Sequence, residues 1–257
     1  MEKFIILPEG DSSSSILSEM YSEGEAGHGD TLMVVNQTAG RGQRGNSWEA
    51  EPGQNVTMSM LLVHDRLPAI QQFLVSQLIS LAIIDMLRQK LGEVVEPKRV
   101  CVKWPNDIYV NDLKIAGILI ESTITGDRVE RSIVGIGLNV NQIEFVSDAP
   151  NPVSMAQLLG NLYEKGPEHL GRELSRRIME YVHSFRNGSL SPEEIRGRYA
   201  GILWRRQGLH PFTDATTNEF FLASIGDIEP TGHIHLLTET GENRKYAFKE
   251  VIFEDEC

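Results

Sequence analysis

Two short clusters carry the residues able to do chemistry. The first is Gly40-Arg41-Gly42-Gln43-Arg44-Gly45, and the second is Lys103-Trp104-Pro105-Asn106-Asp107. From Thr31 to Trp48 there are two arginines and no Asp or Glu, so an 18-residue window carries +2 in a chain of net charge −12. Glycines at 40, 42 and 45 permit positive φ and let backbone N–H groups converge on an anion. Arginine adds a planar fork of donors suited to carboxylate or phosphate. The other reading is a hairpin loop with solvated arginines, and the loop residues alone leave both open. No GK[ST] follows, so this is not a Walker loop. The glycines satisfy the GxGxxG spacing only as a string, because the βαβ context is missing.

The second cluster is the more specific. A lysine between an apolar strand and a Trp-Pro turn can point into a cleft, and lysine is rarely buried unless an anion pairs with it. Pro105 holds the turn, while Asn106 and Asp107 offer local hydrogen bonds. Trp104 reads as core. Asp107 has two readings, a metal ligand or a brace of its own turn, and bracing is the simpler.

These clusters need strands and helices to hold them. Lys3–Pro8 reads as a strand. A helix opens near the serines Ser12, Ser13 and Ser14, with a serine cap and with Ile16, Leu17, Met20 and Tyr21 on one face. Thr31–Gln37 is an apolar strand that runs straight into the glycine loop, and Asn55–Val63 alternates as a strand. Pro68–Leu91 gives the longest helical pattern, stopped by Gly92. Val100–Val140 is β-rich with turns at "VNDLK" and "TITGDR". Helices follow at Ser154–Leu159 and Gly171–Phe185, and a third opens at Ser191, with Pro192 first and Glu194 third. After Gly201 short alternating strands suggest a small antiparallel barrel or sandwich.

At 257 residues the chain suits one large domain and one small one. A hydrophobic share of 40% and a charged share of 23% are ordinary for a globular protein. The acidic balance argues against broad nucleic-acid binding. Two cysteines, Cys101 and Cys257, make no disulfide framework. With no signal-like segment and no apolar run near membrane-span length, the expectation is a cytoplasmic protein without a membrane partner.

"GRGQRGNSW", then "KWPNDIYVNDLKIAGILIE", then "GIGLNVN" resembles, in that order, the biotin–protein ligases. The resemblance runs from about Asp11 to Asn141. It implies an α+β fold: a class II aminoacyl-tRNA synthetase-like catalytic domain, a mixed sheet with flanking helices, and a small C-terminal SH3-like β-barrel. The division drawn is 1–195 for the catalytic domain and 196–257 for the β domain. Only ten residues precede Asp11, too few for the DNA-reading domain of the bifunctional repressors, so a monofunctional type that does not bind DNA is expected.

The implied reaction activates biotin with ATP and Mg²⁺ to biotinyl-5′-AMP, then transfers biotin to a lysine of a biotin carboxyl carrier domain. By resemblance, Arg41 and Lys103 are catalytic and carry the carboxylate and α-phosphate charge. Ser12, Ser13, Ser14, Gln37, Gly40, Gly42, Gln43, Gly117 and Ile118 line the biotin pocket with them. Arg44, Gly45, Trp48, Asn106, Lys114 and Asn139 are implied on the nucleotide side, and no metal ligand is assigned. Two departures stand out: many members have Ser-Thr-Asn where this chain has Ser12-Ser13-Ser14, and Gln43 replaces a common arginine. Rival readings are a lipoate or octanoate transferase of the related fold and a non-catalytic biotin sensor. A homodimer through exposed strand edges is compatible with the sequence, and nothing in it requires one.

Overall fold

The computed structural model describes residues 2–42, 47–147 and 151–254, and the following concerns those residues. A seven-stranded sheet comes first. Its strands are β1 (Phe4–Gly10), β2 (Thr31–Gln37), β3 (Val56–Pro68), β4 (Val100–Lys103), β5 (Asp107–Val110), β6 (Leu113–Thr125) and β7 (Arg128–Leu138), in spatial order β1-β2-β3-β7-β6-β5-β4. β1 and β2 are parallel across the helix α1 (Ser13–Ser22), and every other pair is antiparallel.

The alternation in β3 decides which face is which. Val56, Met58, Met60 and Leu62 bury against α2 (Phe73–Leu91) and α4 (Gly166–Arg186), whereas Leu61 joins Leu17, Leu32 and Val34 under α1 on the other face. Thr57 and Ser59 share that second face, where a polar residue interrupts an apolar strand at every second position. α1 covers only one end of it, and the uncovered end is the cleft.

Several boundaries differ from the sequence reading. α2 begins at Phe73 and not Pro68, because β3 continues to Pro68, where Leu67 and Pro68 pair with Val129 and Arg128 of β7. The stretch Ala69–Leu91 is apolar and long enough to cross a membrane, with a mean hydropathy of 1.6, so the sequence does hold such a run. In the fold it is the central core helix, buried on nearly all sides. α4 is longer than α2, at 21 against 19 residues, and starts at Gly166 because Pro167 suits a first turn. α3 (Met155–Leu159) and α5 (Pro192–Gly201) each open with a full capping box, Ser154 with Gln157 and Ser191 with Glu194. Ser12 sits at the cap position of α1, but its hydroxyl makes no capping bond.

The second sheet has five antiparallel strands, β8 (His210–Asp214), β9 (Phe220–Ile228), β10 (Ile234–Thr238), β11 (Asn243–Tyr246) and β12 (Val251–Phe253), ordered β11-β10-β9-β8-β12. Its Phe212, Ile234 and Leu236 belong to the same hydrophobic cluster as α2. The expected division at 195 falls inside α5, where Ile195 is buried, and the sheet begins at His210. Beyond α5 the chain joins β4 directly. Val102 donates its N–H to Ile202 O at 2.8 Å, and Trp204 donates its own to Val102 O at 2.7 Å. Trp104 Nε1 donates to Gly232 O at 2.9 Å, tying the Trp-Pro turn to the β9–β10 connection.

Candidate functional site

One row of partners crosses the sheet beneath the cleft: Lys103 faces Asp107, Asp107 faces Gly117, Gly117 faces Gly137, and Gly137 faces Thr57. The next row on that face is Leu119, Gly135 and Ser59. Three glycines thus form a floor with no side chains, and its neighbours use the space. A Cβ on Gly137 would lie 2.2 Å from the Trp48 ring, one on Gly117 3.0 Å from it, and one on Gly135 2.9 Å from Ser14 Oγ. The cleft above encloses about 1580 Å³.

At one end stands the N-terminus of α1, whose N–H groups lack intrahelical acceptors and whose dipole favours negative charge or strong acceptors. Ser12, Ser13 and Ser14 are all buried there. Ser13 N donates to Gln37 Oε1 at 2.9 Å, and the hydroxyls of Ser13 and Ser14 each meet Ser59 Oγ at 2.8 Å. The serines therefore form a hydroxyl cluster with β3 instead of capping their helix.

The glycine loop leaves β2 and returns through a short hairpin. Trp48 N donates to Gly40 O at 3.0 Å, and Arg41 bridges Ser47. A Cβ on Gly40 would come within 2.6 Å of Trp48 O, so the hairpin base needs glycine there. Gln43, Arg44 and Gly45 lie outside the described residues. Arg41 lines the cleft with Gly42, and its guanidinium grips Glu121 through two bonds of 3.2 and 2.8 Å.

Another wall of the cleft is made by Trp48, Lys114 and Asn139. Lys114 Nζ stands 2.8 Å from Asp107 Oδ1 and 5.8 Å from the centre of the Trp48 ring. Asp107 thus braces a lysine across the β5–β6 hairpin. Asn139 donates to Val153 O at 3.1 Å, while its Oδ1 is buried with no partner among the described residues, as is Trp48 Nε1. A buried orphan donor and a buried orphan acceptor in one cleft call for a ligand that supplies both complements. Asn106 faces elsewhere in its bonding: its amide donates to Ile118 O at 2.6 Å, and its carbonyl accepts from Ile118 N at 3.0 Å. The Ile118 side chain packs in the core on the opposite face.

Lys103 reaches the far wall. Its ammonium is 3.2 Å from Tyr109 Oη and 5.2, 5.1 and 5.7 Å from the ring centres of Tyr109, Trp204 and Phe253. Arg205 and Lys249 also line this end. Nearby Cys101 is no nucleophile, because burial, helped by Asp112, pushes its thiol up to about 12. On the opposite rim, burial works against ionisation of Glu49. Hydrogen bonds from Ser147, Val146 and Gln142 outweigh it and hold the carboxyl below its ordinary value.

Ser12–Ser14, Gln37, Arg41, Gly42, Trp48, Lys103, Asn106, Lys114, Gly117, Ile118 and Asn139 thus line one cleft. The sequence reading missed Thr57, Ser59, Tyr109, Glu121, Gly135, Gly137, Trp204 and Phe253 as site residues. The polar alternation within β3 signals the first two. Nothing local signals Trp204 or Phe253, which arrive from the other end of the chain.

The whole chain overlays a biotin protein ligase from Aquifex aeolicus, solved with biotin and ATP, at a TM-score of 0.76 and 23% identity, covering 100% of both chains. The fold is therefore the α+β, class II synthetase-like one. Residues 9–139 match the model of the biotin/lipoate A/B protein ligase family, and the chain belongs to that family. The bifunctional ligase/repressor BirA of Bacillus subtilis is 29% identical over 247 residues, 92% of this chain and 70% of that protein. Its Escherichia coli counterpart is 39% identical over 136 residues, 52% of this chain and 40% of that protein.

Proposed function

We infer that the protein is an ATP-dependent biotin–protein ligase. The observation that carries this is the pairing of two unlike pockets on one glycine floor. One is a hydroxyl and amide cluster at the α1 N-terminus, and the other is an aromatic wall with an orphan donor and acceptor. The first suits a ureido ring, whose carbonyl accepts and whose N–H groups donate. The second suits a purine edge above an indole.

In the first step an oxygen of the biotin carboxylate attacks the α-phosphorus of ATP. The bond to the β-phosphate oxygen breaks, and pyrophosphate leaves with its electron pair. Two anions must meet, so the barrier is lowered by cations and by positioning more than by a general base. Arg41 and Lys103 are the groups assigned to that charge, and Arg41 must exchange Glu121 for the ligand carboxylate. Arg44 and Gly45 are assigned to the nucleotide, and Gln43 to the biotin side of the intermediate, mainly through its backbone. Asp107 is committed to Lys114, and no group of three or more His, Cys, Asp or Glu gathers among the described residues. Mg²⁺ would arrive with ATP and offset the charge of its phosphates, and no residue of the chain is assigned as its ligand.

In the second step the neutral amine of an acceptor lysine attacks the acyl carbon, the mixed-anhydride C–O bond breaks, and AMP departs. A carrier domain of a biotin-dependent carboxylase supplies that lysine, in the cytoplasm. For a homodimer built on strand edges β1 is the candidate, because Leu203 already occupies the outer side of β4 at Val102. The deciding experiment is biotin-dependent pyrophosphate release from ATP, with lipoate and octanoate as controls. Release with lipoate alone would reassign the enzyme, and tight biotin binding without release would make it a sensor.

A further inference from the structure

Trp48 and Phe145 line the cleft from two distant segments, the return arm of the glycine hairpin and the loop that follows β7. A single carboxylate joins those segments. Glu49 Oε1 accepts from Val146 N at 3.0 Å and from Gln142 Nε2 at 3.1 Å. Its Oε2 accepts from Ser147 N at 2.8 Å and from Val146 N at 3.2 Å. Trp48 thus precedes the acceptor by one residue, and Phe145 precedes the first backbone donor by one.

The rest of the joint is buried and ties the same two segments. Gln142 is 2% exposed, and its Oε1 accepts from Glu51 N at 2.9 Å and from the Asn55 amide at 2.5 Å. Asn55 Oδ1 accepts in turn from Val140 N at 2.9 Å, and Asn141 N donates to Gln54 O at 2.8 Å. Trp48 N is bonded to Gly40 O, so the main chain is fixed on both sides of the indole. The ring itself occupies the space that a Cβ on Gly137 would need.

Glu49 also lines the cleft, where a loose carboxylate would repel a phosphate. Both of its oxygens are instead engaged by N–H donors. Burial opposes ionisation and these bonds outweigh it, so the group stays a charged acceptor. Hydrogen bonds to a charged acceptor are the stronger kind. A glutamine there would offer one oxygen and turn an NH₂ toward N–H donors.

We propose that Glu49 is a positioning residue: it clasps Trp48 and the rim at Phe145, Val146 and Ser147 into one preformed wall for the adenine of ATP. This assignment rests on the ligase reading above, in which Trp48 lies on the nucleotide side. A preformed wall spares the ligand the cost of ordering side chains. Loss of the clasp therefore falls on the affinity for ATP, and saturating ATP restores the rate.

The test uses the full chain, with pyrophosphate release followed at varied ATP and at varied biotin. Glu49→Gln is expected to raise KM for ATP about tenfold, with kcat and KM for biotin within about twofold. In a Trp48→Leu background the same substitution has no further effect on KM for ATP, because residues acting through one group are not additive. An unchanged KM for ATP, a parallel rise in KM for biotin, or full additivity with Trp48→Leu would overturn the proposal. The clasp is also read without catalysis, by fluorine NMR of the ligand-free chain labelled with fluorotryptophan. Its three tryptophan signals are assigned with single Trp→Phe variants. Glu49→Gln shifts or broadens the Trp48 signal and leaves those of Trp104 and Trp204 in place. An unmoved Trp48 signal refutes the clasp, and movement of all three shows a general loss of packing and refutes it as well. A wild-type chain that released no pyrophosphate with biotin would instead refute the ligase reading, leaving the fluorine result to stand.

Discussion

Gly137→Ala puts the floor of the cleft to a direct test. The added Cβ would lie 2.2 Å from Trp48 Cε2 and 2.6 Å from Cδ2 and Cζ2. Carbon atoms pack at roughly 3.5–4.0 Å, so the indole must retreat by about 1.5 Å or leave the floor. Gly137 does not have positive φ, so alanine fits the backbone. Alanine in a strand interior favours the folded state by ~0.5–1 kcal/mol over glycine. Displacing the half-buried indole costs about 1–2 kcal/mol of apolar contact. The net loss is about 1 kcal/mol, which for a chain of this size lowers Tm by roughly 2–4 °C. A base that loses its aromatic partner loses about 1–3 kcal/mol, so KM for ATP should rise roughly ten- to a hundredfold. Thermal melts followed by circular dichroism, with pyrophosphate release at varied ATP, separate the two effects. An unchanged KM for ATP would show that Trp48 is not a nucleotide wall. A Tm lower by more than about 10 °C would show that it is a structural keystone instead.

Other expected outcomes follow from the same geometry. Ser59→Ala removes the shared partner of Ser13 and Ser14, so it should cost about 1–3 kcal/mol and raise KM for biotin but not for ATP; a melt and a biotin titration check both. Arg41→Ala should leave stability within about 1 kcal/mol, because the pair with Glu121 is half-exposed, while pyrophosphate release collapses. Gln43→Ala should retain the adenylate far better than Arg41→Ala, as measured by its off-rate, and an equal loss would refute a backbone role. Burial, with the charges of His28 and Arg186, holds the His64 imidazole down to about 4 from 6.5. The unfolded chain therefore binds more protons between those values. The stability from keeping His64 neutral is full above pH 6.5 and falls as pH drops toward 4, by at most about 3 kcal/mol. His64→Gln should flatten the Tm profile between pH 7 and 5, and a wild-type Tm constant over that window would refute the assignment.

The elements best read from sequence are those with one face buried. β2 is found at its residues because it is a continuous apolar run ending at a glycine loop, and α5 because its capping box is complete. α2 was misread at its start, since a proline at the end of an extended strand resembles a proline at the start of a helix, and pairing with β7 decides between them. The site was legible where the chain is locally unusual, in the Arg41 loop and at Lys103. It was illegible where the contribution is negative or remote. Gly135 and Gly137 act by what they lack, which only a neighbouring Ser14 or Trp48 reveals. Trp204 and Phe253 lie a hundred or more residues beyond the lysine they surround.

The two backbone bonds at Val102 have a kinetic consequence. They make the segment after α5 an extra rung on β4, so a hinge there would have to break buried hydrogen bonds before the second sheet could swing. Opening and closing by rigid rotation of that sheet is thereby disfavoured. The described walls of the cleft are thereby held in one frame, so they present the same geometry to each ligand without a swing between the two sheets.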